Sequence, residues 1–253
     1  MVETPPNPGT EFEVPEVEAP GVEAPGVEAP ELSAARRNFA DGLTLLRALL
    51  TPIIMAVVIV GWATTVRQGD VEMFPHLLGA SVLASVLFGV AAVSDAFDDL
   101  SGGAATAGLR RYGWFDDIAD TILVVGTLSA LVYATWQTGA LGLGLLAPVV
   151  ALVVRNVLVG LVRGYELSRL GWPQTAFGTA KNAVLMVATL LLVASPWLTP
   201  LLEGLRGAPA GAFSSQDNLV WNAGLFGLWI GAALSVVTGA MLLLRPARAL
   251  AAA

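Results

Sequence analysis

The chain has 253 residues, of which 55% are hydrophobic and only 13% are charged, and its mean hydropathy is +0.71. This composition excludes an ordinary soluble domain and indicates an integral membrane protein. The absence of cysteine excludes disulfides and thiolate sites, and the net charge of −7 comes mostly from one end of the chain.

The first 31 residues form a tail that is rich in glutamate and proline. It contains eight glutamates and no basic residue, and the pattern EAPGV repeats within it. Such a segment has too few apolar residues for a core, so we expect a disordered tail over 1–31 and a folded domain over 32–253. The rest of the chain has 13 basic and 12 acidic residues, and no nucleic-acid partner is expected.

Six apolar stretches follow, each long enough to cross a bilayer, which takes about 20 residues. They lie near residues 43–63, 78–98, 115–136, 140–163, 179–200 and 219–244. Most arginines and lysines fall in the loops of one side, and the positive-inside rule places that side and both termini in the cytosol. The sequence therefore predicts an all-α, multi-pass protein of the cell membrane with six transmembrane helices.

Six aspartates lie between residues 95 and 120, where the second span ends and the third begins. Asp95 and Asp98 are three apart, and Asp116 and Asp120 are four apart, so each pair shares one helix face. The glycine-rich connection predicts that these two helices are antiparallel neighbours whose four carboxylates converge. Unpaired acids in a membrane cost about 2.5–3.5 kcal/mol each. Mg²⁺ or Mn²⁺ would offset that cost, and a solvated acidic loop is the alternative.

The spacing of these four acids resembles the signature of the CDP-alcohol phosphatidyltransferase family, D-x2-D-G-x2-A-R-x8-G-x3-D-x3-D. All four match in register, but other signature positions differ, at Asp99, Gly102, Gly103 and Tyr112. The segment 41–52 is similar to the family's first helix through Thr44, Arg47 and Pro52, and the resemblance implies that Thr44 and Arg47 bind substrate. The segment 155–188 is similar to a region of the family's phosphatidylglycerophosphate synthases, through Arg155, Arg163, Gly178 and Lys181. The resemblance covers roughly residues 35–245.

This resemblance implies transfer of a phosphatidyl group from CDP-diacylglycerol to an alcohol, with release of CMP. It implies two Mg²⁺ or Mn²⁺ ions held by Asp95, Asp98 and Asp116, with Asp120 as the general base. The departures from the signature affect its nucleotide-binding positions, and Arg110 or Arg111 of the loop would then contact the nucleotide. The family often forms homodimers.

Basic residues of the fourth and fifth spans predict a pocket for an anionic acceptor. Arg155 lies inside the fourth span, where a buried arginine needs an anion, and Arg163 and Lys181 lie at the same side of the membrane. A phosphorylated alcohol such as glycerol 3-phosphate fits such a pocket. The alternative is that Arg155 pairs with an aspartate while Arg163 extends to the membrane surface.

Three other functions stay open at this point. The first is transfer to a different acceptor within the family, of the cardiolipin-synthase type or an inositol phosphate. The second is that the chain is a catalytically impaired relative that acts as a membrane interaction protein. An ion transporter is a third class, but its relay of acids is expected near the middle of the membrane rather than at helix ends.

Overall fold

The computed structural model describes residues 34–66, 74–100, 113–139, 141–162, 176–205 and 219–251, with side chains described over slightly narrower ranges. These residues form six helices: α1 (Ala34–Val66), α2 (Phe74–Leu100), α3 (Gly113–Gln137), α4 (Leu143–Val162), α5 (Ala176–Leu205) and α6 (Leu219–Ala251). Each helix contains a stretch of 19 to 25 residues that is long and apolar enough to cross a membrane. The prediction of an all-helical protein with six spans is confirmed.

The membrane-crossing stretches agree closely with the sequence-based spans. They are Arg37–Gly61, Gly79–Phe97, Ile118–Gln137, Leu143–Leu161, Ala180–Thr199 and Leu219–Met241. The acidic tail over 1–31 lies outside the described residues, and the placement of both termini in the cytosol stays a prediction.

Helix α1 packs along both α2 and α3, whereas α2 and α3 touch each other at few points. The prediction that α2 and α3 are direct antiparallel neighbours is therefore corrected, because α1 lies between them. The segment that connects them is long enough to pass around a helix, so their closeness in sequence does not force contact. Helix α6 packs against α5 and α4, and α2 also contacts α5.

Small residues allow the closest approaches between helices. A Cβ atom added at Gly61 of α1 would lie 2.6 Å from the Cβ atom of Ala80 in α2. A Cβ atom added at Gly224 of α6 would lie 2.8 Å from Cγ of Leu192 in α5. Backbones that approach this closely gain van der Waals contact, which is the main attraction between helices in lipid.

The described side chains divide between a buried core and an apolar outer surface. Phe88, Leu128 and Leu192 are completely buried, whereas Leu49 is 68% exposed and Phe226 is 70% exposed. Large apolar side chains on the outside of a bundle are costly in water and stable in hydrocarbon. The outer surface is therefore the one that faces lipid.

The turn between α3 and α4 depends on a glycine. Gly139 has a φ of 70°, a left-handed conformation that glycine adopts without steric cost. Its N–H donates to the carbonyl of Trp136 at 3.1 Å, and the N–H of Thr138 donates to that of Ala134 at 3.2 Å. These bonds satisfy carbonyls that the end of α3 would otherwise leave without partners.

Candidate active site

One face of α1 carries a row of buried polar side chains within an otherwise apolar span. Asp41, Thr44, Arg47 and Thr51 are all buried, and Arg47 is completely so. Their spacing of three, three and four residues keeps them on one side of the helix. Oγ1 of Thr51 donates to the carbonyl of Arg47 at 2.9 Å, directly before the helix-interior proline, Pro52.

The guanidinium of Arg47 lies among three carboxylates from two other helices. Its Nη1 atom donates to Oδ1 of Asp95 at 2.7 Å and also to Oδ1 of Asp120. Its Nη2 atom donates to Oδ1 of Asp116 at 2.5 Å. A buried ion pair is stable only when further hydrogen bonds compensate the loss of water. Arg47 therefore joins the end of α2 to the start of α3 through α1.

Asp116 has two further sources of stabilisation. Its Oδ1 atom also accepts a hydrogen bond from Oγ1 of Thr44 at 2.8 Å. It lies in the first turn of α3, where the positive end of the helix dipole favours a carboxylate. Its side chain is 15% exposed, compared with 17% for Asp95 and 11% for Asp120. The three acids are thus mostly buried, and each faces the same cation.

These acids have the chemistry of a site for a hard divalent cation. Mg²⁺ and Mn²⁺ prefer carboxylate oxygens, and three such oxygens surround one positive charge here. Among the side chains that the structure describes, no group of three or more acids, histidines or cysteines has the geometry to hold a metal ion. The carboxylate oxygens are of the donor type that such an ion takes, and the cation that they bind in this structure is the guanidinium of Arg47.

A small cavity of about 30 Å³ opens beside Asp120. Helices α3, α4, α5 and α6 all contribute to its wall. The polar part of its wall is formed by Asp120, Thr121, Asn156, Lys181, Asn182 and Ser235. A cavity of this volume has room for a molecule about the size of water, and one carboxylate, one ammonium and two amides give it a polar wall.

Arg155 of α4 is fixed against α6 next to this cavity. Its Nε atom donates to the carbonyl of Ser235 at 3.2 Å, and its Nη1 atom donates to Oδ1 of Asn156 at 2.8 Å. The close approach requires Gly239, because a Cβ atom there would lie 3.0 Å from both Cγ and Nε of Arg155. Ser235 and Asn156 both line the cavity, so Arg155 supports its wall from behind.

The structure brings together seven of the residues singled out in the sequence at one end of the bundle. Thr44 and Arg47 meet three of the acids, Lys181 lines the cavity next to Asp120, and Arg155 supports the cavity wall. The remaining predicted site residues lie outside the described side chains: Asp98, Arg110, Arg111 and Arg163.

Sequence reasoning missed two features of this site. The first is that Asn182 and Ser235 line the cavity. Both are polar residues within apolar spans, which is the signal that could have indicated them. Asn182 lies next to Lys181, and Ser235 lies on the side of its helix that faces α4. The ion pairs of Arg47 were also missed. A charged residue inside an apolar span is itself such a signal, because it requires a partner.

Comparison with known proteins yields one match. The family model described as CDP-alcohol phosphatidyltransferase matches residues 37–237, which is most of the chain. Neither a curated protein nor a solved structure matches. The matched range includes the three clustered acids, Arg47 and every residue that lines the cavity.

Proposed function

The chain belongs to the CDP-alcohol phosphatidyltransferase family, and we propose that it transfers a phosphatidyl group from CDP-diacylglycerol to a phosphorylated alcohol. Glycerol 3-phosphate is the acceptor that we favour, and CMP is the other product. Membership of the family makes the protein a membrane-embedded transferase in phospholipid synthesis. The cavity beside Asp120, with Lys181 in its wall, is the observation that supports the choice of an anionic acceptor.

Asp120 is the general base in this proposal. The acceptor's hydroxyl oxygen forms a bond to the phosphatidyl phosphorus, the bond from that phosphorus to the CMP oxygen breaks, and the hydroxyl proton passes to Asp120. A carboxylate is effective in this role when it lies within hydrogen-bonding reach of the hydroxyl. Asp120 lines the cavity and accepts a hydrogen bond from Arg47, which fixes the orientation of its carboxylate.

The charge of Lys181 is the main determinant of acceptor choice. An ammonium in a partly buried cavity attracts the phosphate of the acceptor, and the amides of Asn156 and Asn182 supply hydrogen bonds to its other oxygens. An uncharged alcohol would form no ion pair with this ammonium. Selectivity for a phosphorylated acceptor follows from that difference.

Asp95 and Asp116, with Asp98 as the sequence predicts, would hold Mg²⁺ or Mn²⁺. An ion bound there would supply positive charge to neutralise the pyrophosphate of the donor and the departing CMP. The donor's acyl chains stay in the bilayer, since apolar side chains at the same end of α1 and α2 are exposed, among them Phe39 and Phe97. The reaction then takes place at the membrane surface, which we assign to the cytosolic side.

Release of CMP from CDP-diacylglycerol by the purified protein tests the proposal. Glycerol 3-phosphate, glycerol, inositol phosphate and phosphatidylglycerol are offered separately with Mg²⁺, and the Asp120→Asn protein is the matched control. We expect CMP release with glycerol 3-phosphate to exceed that with glycerol at least tenfold. Equal rates with glycerol would refute the anionic acceptor, and a faster rate with phosphatidylglycerol would assign a cardiolipin-type reaction. No CMP with any acceptor would refute the transfer activity.

A further inference from the structure

The guanidinium of Arg47 lies among three carboxylates that the family resemblance implies as a metal-binding and catalytic cluster. The carboxylates of Asp95, Asp116 and Asp120 all direct an oxygen at its guanidinium, and its side chain is completely buried. One oxygen of each carboxylate is thus already bound to a positive charge. The guanidinium has the same electrostatic role in this cluster that a divalent cation would have.

The charge of the cluster is not balanced by Arg47 alone. Three carboxylates and one guanidinium leave a formal charge of about −2, which still attracts a divalent cation. Such an ion would lie close to the guanidinium, and the two positive charges would repel each other. Binding of the ion is therefore weaker while all three ion pairs are intact than after one of them has been released.

We propose that Arg47 is a positioning residue that competes with the divalent cation for these carboxylates. It holds α2 and α3 in place before the ion binds, and it releases at least one carboxylate when the ion binds. The inference rests on the proposed function, because it takes Asp95 and Asp116 to be ligands of the ion. When only a fraction of the molecules is in the conformation that can bind the ion, the apparent affinity for the ion is reduced by that fraction.

Binding of Mn²⁺ to the purified protein in detergent tests the competition directly. The loss of the free-ion signal in electron paramagnetic resonance gives the dissociation constant without any turnover. Arg47→Met removes the competing charge and keeps a long apolar side chain. Arg37→Met is the matched control, since it removes the same charge from the same helix ten residues away, about 15 Å along the axis.

We expect Arg47→Met to bind Mn²⁺ at least tenfold more tightly than the wild type, and Arg37→Met to bind it within about twofold of the wild type. Loss of a merely structural arginine would not strengthen metal binding. Unchanged or weaker binding by Arg47→Met would overturn the competition. A matching increase in Arg37→Met would also overturn it, because the effect would then come from net charge.

Thermal unfolding supplies a second measurement. Without metal, Arg47→Met is expected to unfold at a lower temperature than the wild type, because three acids lose their counter-charge. Added Mn²⁺ is expected to raise its unfolding temperature more than that of the wild type. If Arg47→Met does not fold, Arg47→Gln serves instead, because its amide removes the charge and can still donate a hydrogen bond to a carboxylate. Unchanged or weaker Mn²⁺ binding by Arg47→Gln would then refute the competition.

The inference and the proposed function fail in different ways. Wild-type protein that releases CMP while Arg47→Met gains no metal affinity refutes the competition alone. Wild-type protein that releases no CMP while Arg47→Met binds Mn²⁺ more tightly refutes the transfer reaction alone. Failure of every variant to bind Mn²⁺ contradicts the inference, and the CMP assay still decides the function separately.

Discussion

Replacement of Asp120 by asparagine separates the proton-transfer role from the metal-binding role within the acid cluster. The amide has nearly the same shape as the carboxylate but carries no charge and is a poor base. Arg47 keeps its bonds to Asp95 and Asp116 in this variant, so two of its three ion pairs remain. The helices around the site should therefore keep their positions while the cavity loses its base.

The expected loss of turnover follows from these contacts. Loss of a positioned general base lowers the rate by about 10²–10⁴-fold. At 1.36 kcal/mol for each factor of ten, this is about 2.7–5.4 kcal/mol of transition-state free energy. Because Asp120 is the acid that lines the cavity, the loss should appear in kcat rather than in the KM for CDP-diacylglycerol.

The assay is CMP release over a range of Mg²⁺ concentrations, with Asp95→Asn as the matched control. Asp95 does not line the cavity, so its replacement should leave the base in place and weaken only the binding of the metal. Excess Mg²⁺ should therefore restore part of the rate. Asp120→Asn should not respond to excess Mg²⁺. A folded Asp120→Asn protein with more than a tenth of the wild-type kcat would refute the assignment of the base.

Three further predictions concern the acceptor, the packing and the tail. Lys181→Ala should raise the KM for glycerol 3-phosphate about tenfold or more and leave that for the donor unchanged; a shift in the donor KM instead would contradict the pocket. Gly224→Ala should lower the unfolding temperature because its methyl group meets Leu192, whereas Gly89→Ala, with nothing within 4 Å, should not. If both variants are equally stable, the close approach of α5 and α6 is wrong. Deletion of residues 1–31 should leave CMP release within about twofold, and a tenfold loss in an inserted protein would assign the tail a role.

The sequence predicted the six helices well because the signal is local. A run of about 20 apolar residues must form a helix in lipid, where each backbone polar group needs a partner within the segment. The shared face of Asp116 and Asp120 was also predictable, since residues three or four apart lie on one side of a helix, whereas the pairing of Asp95 with Asp98 stays a prediction. Asp95, Asp116 and Asp120 do lie together in the structure.

The partner of these acids could not be predicted with the same ease. Asp95 and Asp120 meet Arg47 across 48 and 73 residues of chain, and no periodicity records such a contact. The wrong expectation that α2 and α3 are direct neighbours came from the same limit, because the length of a connection bounds distance but not adjacency. The cavity beside Asp120 depends on four helices at once, so only its individual polar residues were visible in the sequence.

The position of Arg47 in the first helix has a consequence for membrane insertion of the nascent chain. Arg47 leaves the ribosome 48 residues before Asp95 and 73 residues before Asp120, so α1 meets the translocon with an arginine that has no acid to bind. An arginine inside a membrane helix has an insertion cost at this step, which reaches about 2.5–3.5 kcal/mol at the helix centre and is smaller towards its ends. The most apolar 18 residues in the membrane-crossing stretch of α1 have a mean hydropathy of 2.4, the highest such value among the six helices. This apolar segment offsets the cost of Arg47, and we expect the first three helices to become stable as one unit once α2 and α3 have been inserted with their acids.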